Sequence, residues 1–171
     1  MKWALGILGG IATLIAIIAI SGLVLPREHV ASMSATLKAP PDSVWAVLAD
    51  TKAYPSWRGD VEKVESLPPV KGKRSWKESA DGSSITYVAE EELPPQRLVS
   101  RIANEDLPFG GAWTYELTPA AAGTRVKITE NGWVSNPIFR FVSHFVLGET
   151  ATMDKYLRAL GQHFGERVTP S

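Results

Sequence analysis

GAWTYELTPAAAGTRVKITENGWVSNPIFRFVSHFVLGETATMDKYLRALGQHFGE, residues 111–166, passes from two extended runs to one long helical pattern. In the first run Trp113, Tyr115 and Leu117 share a face, and in the second Val126 and Ile128 alternate with Arg125 and Lys127, the period of two that a half-buried strand requires. Pro119 to Gly123 supplies the turn between them. From Pro137 to Glu166 the period changes to 3.6: Ile138, Val142, Phe145, Met153, Tyr156, Leu157, Leu160 and Phe164 fall on one side, with Arg140, His144, Lys155 and Arg158 on the other. This reads as one long amphipathic helix with a possible kink at Gly148.

Upstream, four more extended runs precede these two: Val61–Leu67, Lys73–Ser79, Ser84–Glu92 and Arg97–Asn104, separated by Pro68-Pro69, Asp81-Gly82 and Pro94-Pro95. Six sequential strands at hairpin spacing imply an antiparallel meander. Before them His29–Lys38 reads as a strand, Ser43–Ala49 as a short helix started by Ala39-Pro40-Pro41-Asp42, and Thr51–Trp57 as a shorter helical turn limited by Pro55. The class is therefore α+β: about seven antiparallel strands, two short helices after the first, and a long C-terminal helix whose apolar stripe covers the concave face of a curved sheet.

The amino-terminal end has a different character. Trp3 to Leu25 is 23 residues without a charge, and as a helix it spans roughly 35 Å, enough for a bilayer. A cleavable signal has a shorter apolar region, and Ala19-Ile20-Ser21 lies inside this run, so the expectation is an uncleaved anchor over residues 1–27 and a domain over 28–171. Lys2 and the amino terminus, set against Arg27 offset by Glu28, tilt the orientation toward an extracytoplasmic domain. Setting aside Lys2 and Arg27 leaves 18 − 2 = 16 basic against 18 acidic residues, with no basic cluster, which argues against a nucleic-acid partner. Zero cysteines and no helical pair of histidines four apart leave no metal site to propose, and no phosphate loop or other cofactor motif is present.

The order of elements, together with Ala39-Pro40-Pro41-Asp42-Ser43-Val44-Trp45-Ala46-Val47-Leu48-Ala49-Asp50, Tyr54-Pro55-Ser56-Trp57, Pro108-Phe109-Gly110-Gly111-Ala112-Trp113-Thr114-Tyr115-Glu116-Leu117 and Gly123-Thr124-Arg125-Val126, resembles the START-like, or SRPBCC, superfamily, and within it the polyketide cyclase/dehydrase-like group. The resemblance covers roughly residues 29–166 and implies a helix-grip fold with a hydrophobic cavity between sheet and helix. Such folds serve as lipid carriers, hormone receptors and aromatase/cyclases, so the resemblance narrows shape more than purpose. The apolar amino-terminal helix is an addition to the family's pattern.

Two carboxylates stand out of place: Glu149 in the middle of the helix's apolar stripe, and Glu130, which continues the inward parity of Val126 and Ile128. They either line the cavity or reach solvent, Glu130 at a strand end and Glu149 through the kink. With Trp113, Tyr115, Phe145, Met153 and Tyr156 they form the expected ligand-binding set, while Trp57 fills the junction between the short helices and the sheet, and Arg101 and Asn104 are further polar candidates. No nucleophile phrase accompanies His29, His144 or His163, so no catalytic residue is assigned. The leading expectation is a membrane-anchored domain binding a small hydrophobic or amphipathic ligand, a lipid among the candidates. An enzyme of the cyclase or dehydratase kind, with Glu130 or Glu149 as base, is one alternative; a non-catalytic interaction or sensory module with a filled interior is the other.

Overall fold

A computed structural model describes residues 2–148 and 150–171, the side chains of 2, 4–6, 8, 9, 12, 146 and 147 excepted. In chain order its elements are α1 (Lys2–Val24), β1 (Glu28–Leu37), α2 (Pro41–Ala49), a 3-10 turn (Thr51–Ser56), β2 (Lys63–Val70), β3 (Lys73–Ala80), β4 (Ser83–Leu93), β5 (Arg97–Ile102), β6 (Phe109–Ala120), β7 (Gly123–Val134), α3 (Pro137–Val142), a π-helical turn (Ser143–Leu147) and α4 (Ala151–His163). Among the described residues the strands form one antiparallel sheet of seven in the order β1-β7-β6-β5-β4-β3-β2. The meander runs from β2 to β7, and β1 closes it by pairing with β7.

Period-two alternation decides which face is buried. Leu37, Leu98, Leu117, Val126 and Ile128 point inward and meet Val44 and Leu48 of α2 and Met153, Leu157 and Leu160 of α4, all almost wholly buried. Each such side chain contributes about 1.5–3 kcal/mol by leaving water. Pro41 opens α2 at its first turn, where a missing N–H costs nothing. Thr124, fully buried, donates its hydroxyl to the Ala39 carbonyl at 2.7 Å and so ties the β6–β7 turn to the segment ahead of α2.

Three expectations are corrected. The long C-terminal helix is broken into α3, the π-helical turn and α4, because Gly148 takes φ +79°, a left-handed conformation that interrupts the helical hydrogen-bond ladder. Asn136 caps α3 by accepting from the Phe139 N–H at 3.0 Å. Pro68-Pro69 does not end the second strand; β2 continues to Val70 through a bulge after Leu67. It is an outer strand of the sheet, where prolines are tolerated, and the bulge falls at the two prolines, which have no N–H to give to the ladder. Its first residue is Lys63, so Val61 lies in the preceding loop. At the opposite margin, Ser171 exchanges backbone hydrogen bonds with Ser34 of β1 at 2.8 and 2.9 Å.

α1 meets the domain at α3. Gly22 is buried there, and a Cβ in its place would lie 1.8 Å from the Pro137 carbonyl oxygen, so only glycine permits this approach. Further along it Trp3, Ile7, Ile11, Leu14, Ile17 and Leu23 are all exposed. Among the described residues no helix is long and apolar enough to cross a membrane.

Candidate functional site

Between the concave face of the sheet and α4 lies a cavity of about 380 Å³. Inward parity brings Trp76 and Glu78 from β3, Tyr87 from β4, Ser100 and Ile102 from β5 and Trp113 and Tyr115 from β6 to its wall, and α4 adds Tyr156. The rings pack against one another: Trp76 stacks on its cross-strand neighbour Tyr87 with centroids 5.6 Å apart, and Tyr156 lies edge-on to Trp113 at 5.8 Å and tilted to Tyr115 at 5.5 Å.

Arg58 closes one end. It follows the 3-10 turn, whose Tyr54 carbonyl accepts the Arg58 N–H at 2.8 Å. Its guanidinium forks onto both oxygens of Asp60, at 3.2 and 2.7 Å, and gives a third hydrogen bond to Glu78 at 3.0 Å. The other Glu78 oxygen accepts the Trp76 indole N–H at 2.8 Å. The same guanidinium covers the rings of Tyr54 and Tyr156, 4.9 and 5.1 Å from their centroids. Burial pulls the Arg58 pKa down, but Asp60 and Glu78 outweigh it and the net shift is upward, so Arg58 is a permanent cation. Burial raises Asp60 while the Arg58 hydrogen bonds lower it further, leaving that carboxyl below its ordinary range. One cation against two carboxylates gives this end a formal charge of −1.

The tyrosines differ in how their hydroxyls are met. Tyr54 donates to the Leu48 carbonyl at 2.8 Å, whereas the fully buried Tyr156 hydroxyl completes no hydrogen bond of ordinary geometry among the described residues and interacts with the neighbouring hydroxyls of Tyr54 and Tyr115. Burial pushes Tyr54 up to about 12, and raises Tyr87, Tyr115 and Tyr156 as well. All four therefore stay neutral at physiological pH.

A second cavity, also about 380 Å³, lies beside the first, toward the end of α1. Ile102, Phe109, Gly110, Glu130 and Thr152 belong to the walls of both, so the two cavities adjoin. Glu130, half-buried, stands at the junction with an oxygen 3.4 Å from His29 Nε2.

The structure thus brings together Trp113, Tyr115, Glu130 and Tyr156 from the expected set. Met153 is fully buried among core aliphatics and lines neither cavity; Phe145 is 62% exposed and packs beside Phe141 and His144, because the break at Gly148 takes the π-helical turn off the face that α4 presents to the sheet. Glu149 lies outside the described residues. Arg101 pairs with Glu90 and Asn104 accepts the Thr86 N–H at 2.7 Å; neither lines a cavity. Trp57 packs between Tyr54, Tyr156 and His163. Sequence reasoning missed Arg58, Asp60 and Glu78. The available signal was Glu78 itself, two residues from Trp76 on a strand and therefore on the same inward face. Among the described residues no group of three His, Cys, Asp or Glu side chains could hold a metal ion.

A curved seven-stranded sheet gripping a C-terminal helix around an aromatic cavity defines a helix-grip protein. The profile of the polyketide cyclase / dehydrase and lipid transport family matches residues 28–165, and the chain belongs to that family. Solved structures agree in fold. A Mesorhizobium loti protein superposes with a TM-score of 0.62 at 18% identity, over 80% of this chain and 97% of its own. The Zhui aromatase/cyclase from a Streptomyces species gives 0.60 at 19% identity, over 78% and 91%. A START superfamily protein from Mycobacterium smegmatis gives 0.57 at 13%, over 81% and 97%. No curated protein matches the chain by sequence.

Proposed function

We propose that this protein is a membrane-tethered receptor that encloses one small hydrophobic or amphipathic molecule, lipids included, in the cavity between sheet and α4. The observation that carries the reading is the aromatic-walled inner cavity, at whose side the buried Tyr156 hydroxyl completes no hydrogen bond of ordinary geometry among the described residues, with the Tyr54 and Tyr115 hydroxyls as its neighbours. Its volume falls within the usual range of small-molecule sites, about 300–1,000 Å³. A buried hydroxyl left unbonded costs about 1–3 kcal/mol, which a ligand oxygen would offset. Because Arg58 is already matched by two carboxylates, this end suits a neutral hydroxyl or carbonyl rather than an anion.

The tether rests on the uncharged run Trp3–Leu25 and on the bare apolar side chains along α1. Anchored this way, the cavity is held within a short chain length of a lipid reservoir, with the domain on the extracytoplasmic side. Mass spectrometry of organic extracts from the natively purified full chain tests the reading. A stoichiometric compound present in the wild type and lost in Trp113→Ala supports it; an empty, stable wild-type protein overturns it in favour of an interaction module.

One observation favours a second reading, an enzyme of the cyclase or dehydratase kind: the Glu130–His29 pair stands at the cavity junction, where a carboxylate could take a proton from a bound ketone-like compound. Glu130→Gln with ligand retained and turnover lost would support that chemistry, and unchanged turnover would remove it.

A further inference from the structure

The outer cavity differs from the inner one in charge. Among its described lining residues are three permanent cations, Arg27, Arg140 and Lys155, against one carboxylate, Glu130, which already faces His29. Neither Arg27 nor Lys155 makes a salt bridge among the described residues, and both are exposed. Arg140 is 7% exposed; it donates to the Leu25 carbonyl at 2.6 Å and to the Ser135 carbonyl at 3.4 Å, while its Nε is buried without a partner among the described residues. A guanidinium matched only by carbonyls keeps its full charge uncompensated in a low-dielectric setting. The cavity thus joins a buried cation that has no carboxylate partner among the described residues with two exposed ones, a donor set suited to an oxyanion.

Its position gives the anion a source. Leu25, Pro26 and Arg27 line part of it, directly beyond the end of α1, and on its inner side it adjoins the aromatic cavity along their shared wall. We propose that the outer cavity binds the phosphate head group of an anionic amphiphile whose ester-linked acyl chain enters the inner cavity, the ester carbonyl being the oxygen offered to the Tyr156 hydroxyl. This deepens the reading above and rests on it: the inner cavity supplies apolar burial, the outer one selects for charge.

The test uses the full chain in dodecyl maltoside and two probes with the same chain, lauroyl lysophosphatidate and monolauroylglycerol, titrated by tryptophan fluorescence. The phosphate-bearing probe is expected to bind about tenfold more tightly, and the preference to shrink below about threefold in the double variant Arg27→Glu, Lys155→Glu, whose changes are exposed and leave the core intact. Raised salt should narrow the preference in the same direction. Equal binding of the two probes, or a preference unchanged in the double variant, overturns the head-group site while leaving the cavity reading standing. Binding of neither probe overturns both. Inorganic phosphate distinguishes the source: weak competition at millimolar concentration is expected, and competition as effective as that of the lipid would assign the site to free phosphate and overturn the lipid occupant.

Discussion

Removing one hydroxyl should make the empty protein more stable, and removing its neighbour should make it less so. Tyr156 and Tyr54 are both buried, both lie under the Arg58 guanidinium, and each packs against Trp57, at 5.4 and 5.5 Å. They differ in that Tyr54 donates to the Leu48 carbonyl at 2.8 Å while Tyr156, beside the hydroxyls of Tyr54 and Tyr115, completes no hydrogen bond of ordinary geometry among the described residues. Replacement by phenylalanine keeps the ring contacts and deletes the oxygen. For Tyr54→Phe the Leu48 carbonyl loses its partner, a cost of about 1–2 kcal/mol; for Tyr156→Phe an unmet desolvation penalty disappears, a gain of about 1 kcal/mol. In a chain of this size those changes correspond to roughly 2–4 °C of Tm per kcal/mol, in opposite directions. Thermal unfolding of the delipidated protein, followed by near-ultraviolet circular dichroism at fixed detergent, reads both. A loss of 1 kcal/mol or more in Tyr156→Phe would mean that its hydroxyl is bonded in the empty protein and would refute the argument for an awaiting ligand oxygen. In the ligand-loaded protein the sign for Tyr156→Phe should reverse, with ligand retained less well after dialysis.

The remaining expectations follow from named contacts. Arg58→Ala leaves Glu78 buried against Trp76 without its cation and should cost about 3 kcal/mol, measured by urea unfolding, with Glu78→Gln partly restoring stability to that background. The chain's four tyrosines all have raised pKa values, so tyrosinate absorbance at 295 nm should stay low as pH passes 10 and appear cooperatively near 12 with unfolding; the folded state favours the neutral phenols, and its stability is full below about 10 and falls as pH rises. Asp60 works in the other direction: its lowered pKa adds stability that is present above its ordinary value of 3.8 and lost as pH falls below it, and Asp60→Asn should flatten that acid limb. Gly111→Ala forces a Cβ to within 2.3 Å of the Asn131 carbonyl oxygen at φ +140°, and should lower stability by more than about 1 kcal/mol with loss of β6–β7 amide protection in hydrogen exchange.

The sheet was legible in the sequence because alternation is local: Trp113, Tyr115, Val126 and Ile128 announce their face within a few residues, and the turn residues between the runs fix hairpin order. The break in the C-terminal helix was less so, because a glycine inside an apolar stripe is compatible with a kink or with a left-handed residue, and only the packing of α3 against α1 and of α4 against the sheet selects the second. The inner polar end was missed for a different reason. Arg58 belongs to an irregular loop with no periodicity, and its partners Glu78 and Asp60 reveal nothing singly; burial by Tyr54, Trp76 and Tyr156, from three separate segments, makes their charges significant. Met153 and Phe145, read as one stripe, end up in the core and at the surface because the stripe's phase resets at Gly148.

The two outer strands of the sheet have a bearing on assembly. An open strand edge is a template onto which another chain can add, and seven antiparallel strands that do not close into a barrel leave two such edges. One is β1, where the Ser171 backbone already takes the donor and acceptor of Ser34 and the Glu166 carboxylate accepts the Lys38 N–H at 3.0 Å. The other is β2, where two adjacent prolines offer no N–H and a bulge shifts the register. Each margin is thus interrupted at these points, which hinders a second copy from pairing along the full length of either outer strand.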